Sequence, residues 1–116
     1  MSVLRIVANL PSNRVEAVAA FYRRLLGLEN LMDHGWIVTL GRGTAAPVQL
    51  SIASDGGGGA PVPALSVEVD DIDAAHARAL EMGAPITYPL TEEDWGVRRF
   101  FVADPDGRDI NILMHL

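Results

Sequence analysis

The chain has 116 residues, 49% hydrophobic and 21% charged, with no cysteine and a formal net charge of −6. That length and balance suit one globular domain with a real core, and they set aside disordered and fibrous classes. Nine arginines, no lysine and 15 acidic residues repel a phosphate backbone, so no nucleic-acid partner is expected, and the adjacent basic pairs are few, Arg23-Arg24 and Arg98-Arg99.

Without Cys there is no disulfide, no thiolate ligand and no thiol nucleophile, and the default expectation is a cytoplasmic protein. The start, Met1 to Arg5, enters a short apolar run that Asn9 and Pro11 interrupt, which is neither a signal-peptide pattern nor a membrane span. No membrane partner is expected.

In chain order, Val3 to Leu10 reads as a strand and Asn13 to Leu26 as a helix, with strands around Leu28 to Met32, Trp36 to Leu40 and Val48 to Ala53. Asn13 and Glu16 are spaced as a capping box, Val15, Val18, Tyr22 and Leu25 form one helical face, and Gly27 suits the position after the last turn. The run Gly56-Gly57-Gly58-Gly59-Ala60-Pro61 cannot hold a strand or helix without a large entropic cost, and it reads as a linker, 56–61. The order then repeats: a strand at Ala64 to Val69, a helix at Asp71 to Met82, and strands at Ile86 to Leu90, Val97 to Val102 and Asp109 to His115. Asp71 caps, Ile72, Ala75, Ala79 and Met82 form the face, and Gly83 matches Gly27. The expected organisation is a single domain of two modules, 1–55 and 62–116, each β-α-β-β-β. The expected fold class is α+β, a cupped mixed sheet with the helices on its outer face.

Alternation sets the faces of the strands. Val48, Leu50 and Ile52 oppose Gln49, Ser51 and Ala53, and Ile110, Ile112 and Met114 oppose Asn111, Leu113 and His115. With the apolar rows under the helices, Gln49, Ser51, Asn111 and His115 are left on the open side, where a ligand would sit.

Several segments in order carry a resemblance: Phe21-Tyr22 with Leu25-Leu26-Gly27-Leu28, then Val67-Glu68-Val69-Asp70-Asp71, Trp95-Gly96-Val97-Arg98 and Asp104-Pro105-Asp106-Gly107. Together they resemble the vicinal oxygen chelate (glyoxalase/bleomycin resistance protein/dioxygenase) superfamily over nearly the whole chain. Asp-Pro-Asp-Gly alone is only a good turn. The resemblance implies a divalent metal held by His, Glu or Gln on the first and last strands of each module. Met1 to Ala8 offers none of these, Gln49 is a neutral amide, Ala64 stands at the usual His position and Asn111 at the usual Glu position. Such a set cannot compensate a dication, so no metal and no cofactor is expected, and the chain resembles the metal-free branch that includes drug-sequestering resistance proteins.

Of the three histidines, His76 reads as structural at the edge of a buried helical face, His34 as a solvent-facing turn residue, and His115 as a residue able to reach a cavity mouth. Trp36 and Trp95 suit either core packing or ligand stacking. By the superfamily's Trp-Gly-x-Arg pattern, Arg98 faces the cavity and brings Phe100 as an aromatic wall, while Arg99 points away. Acidic residues on the rim, Asp33, Glu68, Glu92, Glu93 and Asp94, would favour a cationic ligand if they faced it. No Ser-His-Asp or Cys-His set can be assembled. The expected protein binds a small molecule at Trp36, Gln49, Ser51, Trp95, Arg98, Phe100, Asn111 and His115, as a homodimer. The alternatives are a metal-dependent lyase, isomerase or dioxygenase using Gln49, Asn111 and His115, and a subunit that uses the fold only for contacts.

Overall fold

The computed structural model describes residues 1–43 and 49–116. The elements run β1 (Val3–Pro11), α1 (Val15–Leu26), β2 (Glu29–Asp33), β3 (Ile37–Gly41), β4 (Gln49–Ala53), β5 (Leu65–Val69), α2 (Ile72–Glu81), β6 (Ile86–Glu92), β7 (Val97–Ala103) and β8 (Asp109–His115). The strands form one mixed sheet in the order β2-β3-β4-β1-β5-β8-β7-β6. The fold is α+β, with the repeated β-α-β-β-β order expected from the sequence. Val48, expected within the fourth strand, lies outside the described residues.

The chain divides into two compact units, Val7–Val62 and a second that joins Met1–Ile6 to Pro63–Leu116. The division falls inside β1, so its first residues belong with the later half of the chain.

In the Val7–Val62 unit, β3 pairs antiparallel with β2 and β4, and β4 lies parallel to the end of β1. Val38, Leu40 and Ile52 form an apolar row onto which α1 lays Val15, Ala19, Val18 and Tyr22. The helix ends as expected: Gly27 takes φ 66°, and its N–H closes onto the Arg23 carbonyl. Its start differs. Arg14 occupies the N-cap with no side-chain cap, and its own N–H is taken by Ser12 Oγ. The helix opens at Val15, so Asn13 and Glu16 are out of the register that a capping box needs. Leu25, expected inside, is 63% exposed.

The glycine run belongs to this unit and is ordered by its neighbours. Asp55 Oδ2 accepts from the N–H groups of Gly57 and Gly59, and the Gly56 N–H donates to the Ala60 carbonyl at 2.8 Å. It is a hydrogen-bonded turn, not an open tether.

In the second unit β5 and β8 are parallel, and β7 pairs antiparallel with β8 and β6. Asp71 caps α2 by accepting the Ala74 N–H. Ile72, Ala75 and Ala79 are buried with Val69 and Phe100, and Val67, Val102, Ile112 and Met114 pack around them. Met82, expected on this face, is the C-cap and is 74% exposed. The turn before β8 is held by Asp104, whose Oδ1 accepts from the N–H groups of Asp106 and Arg108. No helix among the described residues is long and apolar enough to cross a membrane.

Candidate functional site

In the Val7–Val62 unit, the sheet face away from α1 carries a polar row. Asn9 of β1 pairs with Ser51 of β4, and Ser51 pairs with Thr39 of β3. Thr39 and Ser51 share a hydroxyl hydrogen bond of 2.7 Å and are 4% and 3% exposed. Two buried hydroxyls satisfy each other here, as burial requires. The face expected to be open is therefore shielded at its centre. Gln49 is half-buried at the start of β4, opposite Gly41. Trp36 is half-buried ahead of β3, with the His34 ring stacked at 6.2 Å. Asn9 and Thr39 were not singled out from the sequence. Thr39 alternates correctly with Val38 and Leu40, and that signal would have found it.

The second unit repeats the arrangement with more charge. Asn111 of β8 pairs with Ser66 of β5, and its Nδ2 donates to Ser66 Oγ at 3.1 Å. Asn111 is 8% exposed, and its Oδ1 is buried with no hydrogen-bond partner among the described residues. Next along β5, Glu68 is held by both oxygens: Arg5 Nε lies 2.6 Å from Oε1 and His115 Nδ1 lies 2.7 Å from Oε2. Burial pushes the Glu68 carboxyl up, but the hydrogen bonds from His115 and Arg5 outweigh it and hold the group below its ordinary value. The ionised carboxylate only accepts, so His115 Nδ1 carries the proton between them. His115 thus joins a built cluster. Glu68 is among the acidic residues the sequence places on the rim, but Arg5 was missed as its neighbour, because an isolated charge in a strand gives no sequence signal of its partner.

Strand β7 is placed the other way round from the expectation. Phe100 pairs with Ile112 and Arg98 with Met114, both in the apolar row under α2. Phe100 accordingly sits in that core with the His76 ring edge-on at 5.0 Å, and Arg98 pairs with Asp73 of α2. Arg98 and Phe100 therefore do not share the face of Asn111. Arg99 and Phe101 do, being opposite Leu113 and Asn111. Arg99 is 3% exposed, and its guanidinium lies 4.7 to 5.0 Å from the ring centroids of Tyr88, Phe101 and Trp95. Glu93 Oε2 accepts from Arg99 Nε at 2.7 Å and from the Tyr88 hydroxyl at 2.8 Å. Trp95 is half-buried beside this cage. Arg98-Arg99-Phe100-Phe101 puts an arginine and a phenylalanine on each face, so alternation alone cannot orient the strand.

The donor set is wrong for a divalent ion. Among the described residues no three His, Asp or Glu side chains are grouped to hold a metal. The carboxylate on the polar face, Glu68, already spends both oxygens on Arg5 and His115. Asn111 contributes one neutral oxygen, and neutral amides with hydroxyls do not compensate a dication.

A protein-family comparison matches residues 4–112 to the Glyoxalase/Bleomycin resistance protein/Dioxygenase superfamily. The chain belongs to this superfamily. Solved members of similar fold include a glyoxalase/bleomycin resistance protein/dioxygenase superfamily protein from Vibrio splendidus, with TM-score 0.66, 20% identity, and coverage of 97% of this chain and 99% of that one. A Legionella pneumophila protein described as an NAD-dependent benzaldehyde dehydrogenase gives TM-score 0.77 at 18% identity over 97% and 100%. Methylmalonyl-CoA epimerase from Mycobacterium tuberculosis gives 0.61 at 19% over 98% and 87%. At these identities the likeness is one of fold alone. No curated protein matches. Within the superfamily fold, this chain places neutral hydroxyls and amides, Thr39, Ser51, Ser66 and Asn111, on the sheet faces that its helices leave uncovered.

Proposed function

We propose that the protein is a bacterial, cytoplasmic, metal-free member of its superfamily that sequesters a small molecule, an antibiotic or a toxic metabolite, on the polar face carrying Asn111. The observation that carries this reading is the Asn111 Oδ1, buried and without a partner among the described residues. An orphaned buried acceptor costs about 1–3 kcal/mol unless something donates to it. A ligand N–H or O–H would recover that loss. Both Glu68 oxygens are engaged by Arg5 and His115, so what the face offers a ligand is the Asn111 acceptor, which favours a hydrogen-bond donor. Ser51 and Gln49 lie on the corresponding face of the Val7–Val62 unit, and Trp95, in the same unit as Asn111, reports the site by fluorescence. Arg98 and Phe100 have no part in it, because their contacts are with α2 and its core.

Metal-free bleomycin is the probe for calorimetric titration. Saturable binding is expected, weakened about 2- to 13-fold by Asn111→Leu, the span of one hydrogen bond of about 0.5–1.5 kcal/mol. Elemental analysis of dialysed protein separates this reading from the lyase or dioxygenase one. Stoichiometric Zn, Ni, Mn or Fe retained in the wild type and lost in Asn111→Leu would overturn sequestration in favour of metal chemistry.

The same reading makes the protein a homodimer. Phe21 and Leu25, one turn apart on α1, are exposed together with Leu26. Exposed apolar side chains in such number mark an association surface.

A further inference from the structure

We propose a second binding site, in the unit that carries α2, for a small apolar monocarboxylate. It lies on the helix-covered side of the sheet, opposite the face of Asn111, and does not depend on the reading above.

Helix α2 is thin where it meets its strands. Its inward residues Ala75 and Ala79 are alanines, and Val67, Val102 and Ile112 beneath it remain only half-buried although they border the core. The gap is a groove of about 240 Å³, with the Phe100 ring in its lining. An apolar cavity of ~150 Å³ suffices for benzene, so a single ring or a short alkyl chain fits. Apolar hollows of this kind gain by filling, since their lining otherwise lacks dispersion partners on one side.

One charged residue lines the groove, Arg78, in the last turn of α2. Its side chain is exposed and forms no ion pair among the described residues. A guanidinium at the mouth of an apolar slot matches a carboxylate in charge and in its two-oxygen geometry. The occupant is therefore an apolar body with a single anionic head. A nucleotide brings too much charge and too little apolar surface, and a neutral hydrocarbon leaves Arg78 without a counter-charge.

Octanoate and octanol, matched in chain length, are the probes, with titration of the whole chain followed by calorimetry and by the methyl NMR signals of Val67, Val102 and Ile112. Octanoate should shift these methyls saturably. Arg78→Ala, at an exposed position, should weaken octanoate about 10-fold and leave octanol unchanged. Ala79→Leu, which fills the groove, should abolish both if it folds, and the Arg78 arm decides the matter if it does not. Asn111→Leu should leave octanoate binding intact, so failure of this site and failure of the Asn111 reading are told apart. Equal loss of both probes in Arg78→Ala would overturn the proposal. So would octanoate shifts confined to the Asn111 face. Methyl signals that ignore octanoate and change with protein concentration would overturn it too, assigning the groove to a second copy of the chain.

Discussion

Removing Arg99 would leave Glu93 a carboxylate with little water to replace its guanidinium, the two side chains being 3% and 9% exposed. Arg99→Ala should therefore cost about 3–5 kcal/mol in urea unfolding, the range for breaking a buried pair. Arg98→Ala should cost no more than about 1 kcal/mol, because its pair with Asp73 is solvent-exposed and screened. Equal losses would contradict the strand orientation. Glu68 gives a second measurement. Its carboxyl is lowered in the folded chain from an ordinary 4.5, so its stabilisation is complete above that pH and disappears as pH falls through the lowered value. Urea midpoints of Glu68→Gln followed downward from pH 5 should fall less steeply than those of the wild type. Sequence showed Ser51 and Asn111 on the right faces because apolar and polar residues alternate cleanly in β4 and β8. It could not orient β7, where both faces are apolar in part and both carry arginine, and it could not pair Arg5 with Glu68, 63 residues apart.

The elements were legible to within two residues wherever described, since each had its own punctuation. Gly27 and Asp71 did the work their positions require. The first helix start was not legible, because Ser12, Asn13 and Arg14 all compete for the cap and backbone geometry chooses among them. Composition makes the glycine run a linker, yet its hydrogen bonds close it on itself. A Cβ on Gly56 would stand 2.0 Å from the Pro61 carbonyl oxygen and 2.8 Å from that of Ala60. Gly56→Ala should thus destabilise by about 1–3 kcal/mol or more, the cost of forcing atoms into a filled space. Gly43→Ala is the control. A Cβ there meets nothing within 4 Å among the described residues, and the substitution should be neutral or slightly stabilising in the same thermal melts.

For the whole molecule, the exposed apolar residues of α1 give the proposed dimer its test. Light scattering at micromolar concentration should report twice 12.5 kDa, and Leu25→Glu should return it to one copy without lowering the content of secondary structure. A wild-type monomer would remove the dimer. The repeat was legible because Gly27 and Gly83 mark equivalent points, whereas the true seam was not, since nothing in Val3 to Pro11 signals a change of allegiance. That seam bears on how such a chain could have arisen or be divided. A half-gene stopping at Val62 would encode Met1–Ile6 away from the unit that uses them. One starting at Pro63 would leave Glu68 without Arg5 and the Asp70 N–H without the Ser2 carbonyl. Along the chain, the later unit is therefore written in two pieces, Met1–Ile6 and Pro63–Leu116, with the whole of the other between them.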